Sequence, residues 1–340
     1  MKRSVQLVII LFATVLLAAV CSHALASWVK VRTTAVQAFV VGQAHGKPPA
    51  YMAGSSLAGY GLSWEQITAQ LGVEMHTWGI AGGSPYEWEQ FQPNAPDVDT
   101  SFIVVSAYDL NEGIICDYRA ELVPIGHTIA TLRAIHANWD YTKRALTRYP
   151  TAWLRTLFPT LGRSKGVMGD LRAKIQKLIK PSAPVAEGEA GPRLDFGKEA
   201  VVDEYKLQKV SDWSPAEILR KTSAMQAGIQ GDESFAGPKM LALDHMLHYA
   251  DQRGRTVVVV LPVSPTYAKE FFPPDSVRNF EASLARLQSA VPRAEWIRLD
   301  QLPSLVADAN FCDLVHMNYF GQKIATGALL ARLGTTTARP

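Results

Sequence analysis

Three side chains, far apart in the chain, have the types and settings for nucleophilic catalysis: Ser56, Asp313 and His316. Ser56 lies in Ala53-Gly54-Ser55-Ser56-Leu57-Ala58-Gly59. A short apolar run, Ala50-Tyr51-Met52, precedes it, and an amphipathic segment from Ser63 to Leu71 follows. That order reads as a strand, a tight turn and a helix start. Gly54 permits a bend that a Cβ would hinder. A serine at such a turn stands where the N–H groups of a helix start point outward. Its hydroxyl is a weak nucleophile until a base takes the proton. Asp313-Leu314-Val315-His316 offers that base. An aspartate three residues before a histidine can fold its carboxylate onto the imidazole, fix the tautomer and stabilise the imidazolium. Each residue alone has a plainer reading: Ser56 as a helix cap, Asp313 as the cap of the last helix, His316 as a structural histidine. Together they point to acyl transfer through serine.

The elements that must hold these groups follow from hydrophobic patterning. Val73 to Trp78 reads as a strand leading into Gly79-Ile80-Ala81-Gly82-Gly83-Ser84-Pro85. Ser84-Pro85 opens a helix through Phe91, since proline suits the first turn. Phe102-Ile103-Val104-Val105 is a buried strand, and it runs into Ser106-Ala107-Tyr108-Asp109-Leu110-Asn111. Further on, Pro238–Asp251, Ser276–Ser289 and Tyr319–Leu333 read as helices, and Thr256–Leu261 and Trp296–Leu299 as strands. Such alternation predicts an α/β fold with a central parallel sheet covered on both faces. Its active site lies beyond the carboxyl ends of the strands, where Ser56, Gly82 and Asn111 fall. Ser264, at the end of the Thr256–Leu261 strand, is expected to face the cleft. It lacks the glycine turn and reads as substrate-contacting or structural.

These blocks, in this order, resemble the SGNH (GDSL-type) hydrolase superfamily. The resemblance covers the two ends of the chain, not its middle. It implies a three-layer α/β sandwich and an acyl-enzyme on Ser56. Asp313 and His316 match its Asp-x-x-His, and Gly82 or Gly83 matches its second-block glycine. The implied oxyanion hole is the N–H of Ser56, the N–H of Gly82 and a side-chain amide. Two positions depart from the pattern. Gly54-Ser55-Ser56-Leu57 stands for Gly-Asp-Ser-Leu, a variant similar to the membrane-tethered branch that modifies surface polymers. That branch includes the D-alanine transfer protein of teichoic acid synthesis and alginate O-acetylation proteins. In the third block Tyr108 aligns where an asparagine is expected, and Asn111 stands three residues later as the alternative amide. Gly83, Tyr108 and Ser264 are candidates for substrate contact. The resemblance implies an esterase or O-acyltransferase acting on a surface or exported glycan, and a membrane-bound O-acyltransferase as a partner. No metal or organic cofactor is implied. The rival reading is a non-catalytic accessory protein that binds a surface polymer with the same fold.

Length and composition set the frame. The 340 residues have room for one large domain or two modest ones, and the net charge of +3 does not suggest a nucleic-acid binder. Lys2 and Arg3 precede an apolar run from Val5 to Val20, near the lower limit for crossing a bilayer. Two fates are open. Cleavage after Ala26, in Ala24-Leu25-Ala26, would release a secreted protein. Retention makes a signal anchor, and that is the reading taken. Either way the catalytic part is expected outside the cytoplasm. Val29 to Val41 reads as a continuing helix, and Gly42 to Pro49 as a linker.

From about Ala120 to Ala236 the strand signals disappear, and Thr128 to Tyr149 and Ser164 to Ile179 read as helices. From Lys143 to Lys180 the charges are almost all positive, interleaved with Trp153, Leu154, Leu157 and Phe158. This is either a face for anionic headgroups or polymer, or a helical cap with a solvated basic side. The expected division is an anchor or signal peptide over 1–27, a linker over 28–49, core over 50–119, a helical insertion over 120–236 and core over 237–335. In the fold implied by the resemblance, Cys116 and Cys312 sit at the same end of the sheet. An oxidising compartment leaves two readings for them: a disulfide or two buried free thiols.

Overall fold

A computed structural model of the chain describes residues 2–28, 39–42, 48–77, 83–85, 88–89, 92, 98–112, 204–227, 229 and 234–336, with 129, 132–133, 139, 142, 157–158 and 160. In chain order the elements are α1 (Lys2–Trp28), β1 (Phe39–Gly42), β2 (Pro49–Ala53), α2 (Ser56–Gly61), α3 (Trp64–Leu71), β3 (Glu74–Thr77), β4 (Thr100–Ser106) and α4 (Ala107–Leu110). There follow α5 (Glu204–Leu207), α6 (Pro215–Gln226), α7 (Pro238–Asp251), β5 (Arg255–Leu261), α8 (Pro265–Phe271), α9 (Pro274–Ala290), β6 (Glu295–Arg298) and α10 (Tyr319–Thr336).

The strands form one sheet in the order β1-β3-β2-β4-β5-β6. The five strands from β3 to β6 are parallel. Side chains alternate between its faces, and each face carries its own core. On one side Met52, Phe102, Val104, Val257 and Val259 pack with Leu57 of α2, Ile67 of α3, Tyr267 of α8 and Leu329 of α10. On the other Tyr51, Ile103, Val105, Val258 and Val260 pack with Leu243 and Leu247 of α7 and Phe280 and Leu284 of α9. The run Val257–Val260 is wholly buried because both faces of β5 are covered. Each such side chain contributes roughly 1.5–3 kcal/mol of transfer free energy. This is the α/β sandwich with helices on both faces that the patterning predicts.

Local chemistry sets the helix ends. Ser63 caps α3 through Gln66 N, and Gly72 closes that helix in the left-handed conformation at φ 64°. Ser214 caps α6 through Glu217 N, with Pro215 in its first turn.

The segment 39–42 departs from expectation. It is not a continuation of the N-terminal helix but an edge strand, antiparallel to β3, with Phe39 opposite Thr77 and Val40 opposite His76. Four residues with two β-branched-type apolar neighbours are too short for the pattern to announce a strand, and β3 supplies the hydrogen-bonding partner that decides it.

The chain divides into two compact units, 1–37 with 119–193, and 38–118 with 194–340. The first unit contains α1, whose stretch Val5–Leu25 is long and apolar enough to cross a membrane, with a mean hydropathy of 2.6. Ser22 of α1 shares a hydrogen bond of 2.8 Å with the Thr160 hydroxyl and accepts another from Thr160 N. Positions 129, 132–133, 139 and 142 are helical, in keeping with Thr128–Tyr149, and position 157 beyond it is helical too, while the expected helix from Ser164 to Ile179 lies outside the described residues. The second unit takes in residues 204–227, which fall within the stretch 120–236 where the strand signals disappear. Val210 is buried in the core, and its N–H donates to Phe311 O at 2.9 Å.

Candidate active site

The site is built at the carboxyl end of the sheet in the second unit. β2 ends at Ala53, and Ser56 is the first residue of α2. Ser55 is the cap: its Oγ accepts from Leu57 N at 3.1 Å. With capping assigned to Ser55, the Ser56 hydroxyl is left to face outward. Its Oγ lies 2.8 Å from His316 Nε2.

The Asp-x-x-His spacing is what shapes the opposing loop. Asp313 Oδ1 accepts from the backbone N–H groups of Val315 and His316, at 2.8 and 2.7 Å. Its Oδ2 accepts from His316 Nδ1 at 2.8 Å. Cys312 N donates to His316 O at 2.9 Å, and Ser264 N to Leu314 O at 3.2 Å, so the loop is tied to itself and to the end of β5. Asn318, not Asp313, caps α10, accepting from Phe320 N and Gly321 N.

Burial by itself would raise the Asp313 carboxyl. The hydrogen bonds and charge of His316, with a further bond from Tyr205, overcome it and hold the group well below the usual carboxylate range. An ionised Asp313 can only accept, so Nδ1 carries the proton and Nε2 presents its lone pair to Ser56. That is the protonation a general base needs. Both imidazole and carboxylate are about a quarter exposed, at 23% each, so a substrate can reach them.

Asn111 is buried at the end of α4, beyond the carboxyl end of β4, the strand next to β2. Its carbonyl accepts from the buried Lys239 Nζ at 2.7 Å, which fixes the backbone at this position. Gly83 is buried, and Gly82 lies outside the described residues. Tyr108 is half-buried and packs edge-on to Tyr267, with ring centroids 5.9 Å apart. Ser264 is fully buried and caps α8 through Tyr267 N at 3.0 Å, so of its two readings the structure supports the structural one. Its serine-proline pair was the signal for that cap. Cys312 is a free, fully buried thiol directed at the carbonyls of His316 and Met317. The structure thus gives no disulfide at Cys312, and Cys116 lies outside the described residues. Among the described residues, no group of three or more His, Cys, Asp or Glu side chains converges as metal ligands.

Two tyrosines at this site were not singled out in the sequence. Tyr60, one turn beyond Ser56 on α2, places its ring 4.9 Å from the His316 ring. Tyr205 of α5 meets Tyr60 edge-on at 6.4 Å and donates its hydroxyl to Asp313 Oδ2. The spacing of Tyr60 from Ser56 was a readable signal; a four-residue helix 108 residues before Asp313 gave none.

No family model matches the sequence, and no curated protein matches it. A solved structure described as "a putative platelet activating factor from Streptococcus pneumonia" aligns over 98% of this chain and 99% of its own, at 10% identity and a TM-score of 0.32. A similarity that low does not bear on fold or activity.

Proposed function

We propose that the chain is a serine-dependent acyl-transfer enzyme of the SGNH type, an esterase or O-acyltransferase, anchored by α1 with its second unit outside the cytoplasm. One observation carries the reading: Ser56 Oγ, His316 Nε2 and Nδ1, and Asp313 Oδ2 form an unbroken relay with both links at 2.8 Å.

In this mechanism Ser56 Oγ attacks the ester carbonyl carbon as its proton passes to His316 Nε2. Asp313 stabilises the imidazolium. The oxyanion is received by the Ser56 N–H, the Gly82 N–H and the Asn111 amide. The tetrahedral centre then expels the leaving alkoxide, which takes the proton from His316, and the acyl group stays on Ser56. In the second half an incoming hydroxyl gives its proton to His316 and attacks the acyl carbon; the tetrahedral centre then breaks its bond to Ser56 Oγ, which takes the proton back from His316. Water as the acceptor gives hydrolysis, and a sugar hydroxyl gives transfer. The Gly-Ser-Ser variant and the apolar helix favour a surface glycan, with a membrane-bound O-acyltransferase as a fitting supplier of the acyl group. Exposed Trp139 and Leu157 in the first unit suit a second contact with lipid.

The test is a fluorophosphonate probe on the full-length protein in detergent. It should label Ser56, and both Ser56→Ala and His316→Ala should abolish labelling, while Ser55→Ala retains some. Labelling that survives Ser56→Ala overturns the assignment. A folded wild-type protein that never labels favours the polymer-binding accessory role instead.

A further inference from the structure

We propose that Tyr205 is a positioning residue of this site: its hydroxyl holds the Asp313 carboxylate in the orientation from which Oδ2 directs His316. The inference rests on the acyl-transfer reading of Ser56, His316 and Asp313.

The hydrogen bonds around Asp313 are divided by oxygen. Oδ1 is taken by two backbone N–H groups of its own loop. Oδ2, the oxygen that meets the imidazole, accepts from His316 Nδ1 and from Tyr205. The backbone bonds fix one corner of the carboxylate. Without a donor at the other corner, rotation about the last side-chain bond would swing Oδ2 out of line with Nδ1. Tyr205 of α5 restrains that motion by donating to Oδ2.

Its own placement is secured independently. Gln208 O accepts from Asn318 Nδ2 at 3.1 Å, and Val210 N donates to Phe311 O, so the segment is stitched to both sides of the Asp313 loop. The Tyr205 ring also abuts Tyr60, which abuts His316. One pair of rings therefore backs the carboxylate and the imidazole together. Burial, and next the negative charge of Asp313, push the phenol well above its ordinary range, so it remains a donor at any pH the enzyme meets. A phenylalanine would fill the same space and keep the ring contact. What it would lose is the bond to Oδ2, together with the contact of the hydroxyl with the Cys312 thiol.

The test uses the full-length chain in detergent and reads two signals. The first is the low-field proton resonance of His316 Nδ1–H, assigned by its absence in His316→Gln. Tyr205→Phe should move it without lowering the unfolding midpoint appreciably. The second is the fluorophosphonate labelling rate. Tyr205→Phe should slow it by about tenfold at saturating probe with an unchanged half-saturating concentration, the mark of lost orientation. In an Asp313→Asn background the same change should have almost no further effect, because the two act through one bond. An unmoved resonance overturns the proposal, as does an equal tenfold loss in the Asp313→Asn background. A resonance that moves in a protein whose Ser56 never labels separates the two ideas: the acyl-transfer reading then fails, and the hold on Asp313 stands. If Tyr205→Phe does not fold, 3-fluorotyrosine at position 205 preserves shape, changes only the acidity of the hydroxyl, and must still move the resonance.

Discussion

Gly54 and Ala58 approach so closely that a methyl group on Gly54 would sit 2.5 Å from the Ala58 Cβ, and 3.3 Å from the carbonyl oxygen of Val104. The glycine is required here for close approach between the end of β2, the first turn of α2 and β4. Gly54→Ala should push α2 away and carry Ser56 with it. Overpacking of this kind costs roughly 1–3 kcal/mol, and labelling should slow by more than tenfold because small misplacements are expensive. Thermal unfolding and probe kinetics measure the two effects. A variant with wild-type rate would mean that Ser56 is not held by this contact.

Asn111→Ala should lower turnover of a p-nitrophenyl ester by roughly a hundredfold, the usual loss for one oxyanion donor, while labelling remains detectable. Tyr108→Phe should do little, since that ring packs against Tyr267. If Tyr108→Phe has the larger effect, the hydroxyl is the donor and Asn111 is not.

Asp109 makes stability depend on pH. Burial pushes its carboxyl up to about 6, against the opposing effects of Ser55, Ser106 and Lys239. The folded chain then binds more protons than the unfolded one between the ordinary value of 3.8 and about 6. Stability from this group is therefore greatest below that window and falls as pH rises through it. Asp109→Asn retains an acceptor for Ser106 N and should flatten that part of the profile. Unfolding midpoints taken at half-unit steps of pH test it, and an unchanged slope in the variant rules Asp109 out as the cause.

Cys312 should be inert in the folded protein. Burial, with the charge of Asp313 second, pushes its thiol up to about 12, so almost no thiolate is present to react. Iodoacetamide should modify it only after denaturation. Rapid alkylation at Cys312 itself in the native chain, located by peptide mapping, would show that the loop opens far more often than its hydrogen bonds imply.

The sheet was legible because β4 and β5 are runs of β-branched residues bounded by turns, and α3 and α6 carry their caps in sequence. Ser56, Asp313 and His316 were legible because each lies in a short local pattern. Three features were not. Phe39–Gly42 becomes a strand only because β3 has an unpaired edge. Ser264 was open between substrate contact and a structural role, and what decides it is the start of α8, whose Tyr267 N–H takes its hydroxyl as acceptor. Tyr205 belongs to the site through contacts with residues more than a hundred positions away, and no periodicity within four residues can encode that.

Ser56 and His316 are 260 residues apart in the chain. In the proposed mechanism the nucleophile is therefore synthesised long before its base. Contacts of such range form late in folding, since closing a long loop precedes any gain from it. Until the loop after β6 and α10 dock, the Ser56 hydroxyl is an ordinary alcohol. On that proposal, a chain cut between β6 and this loop would keep all six sheet strands and lack the base that Ser56 requires.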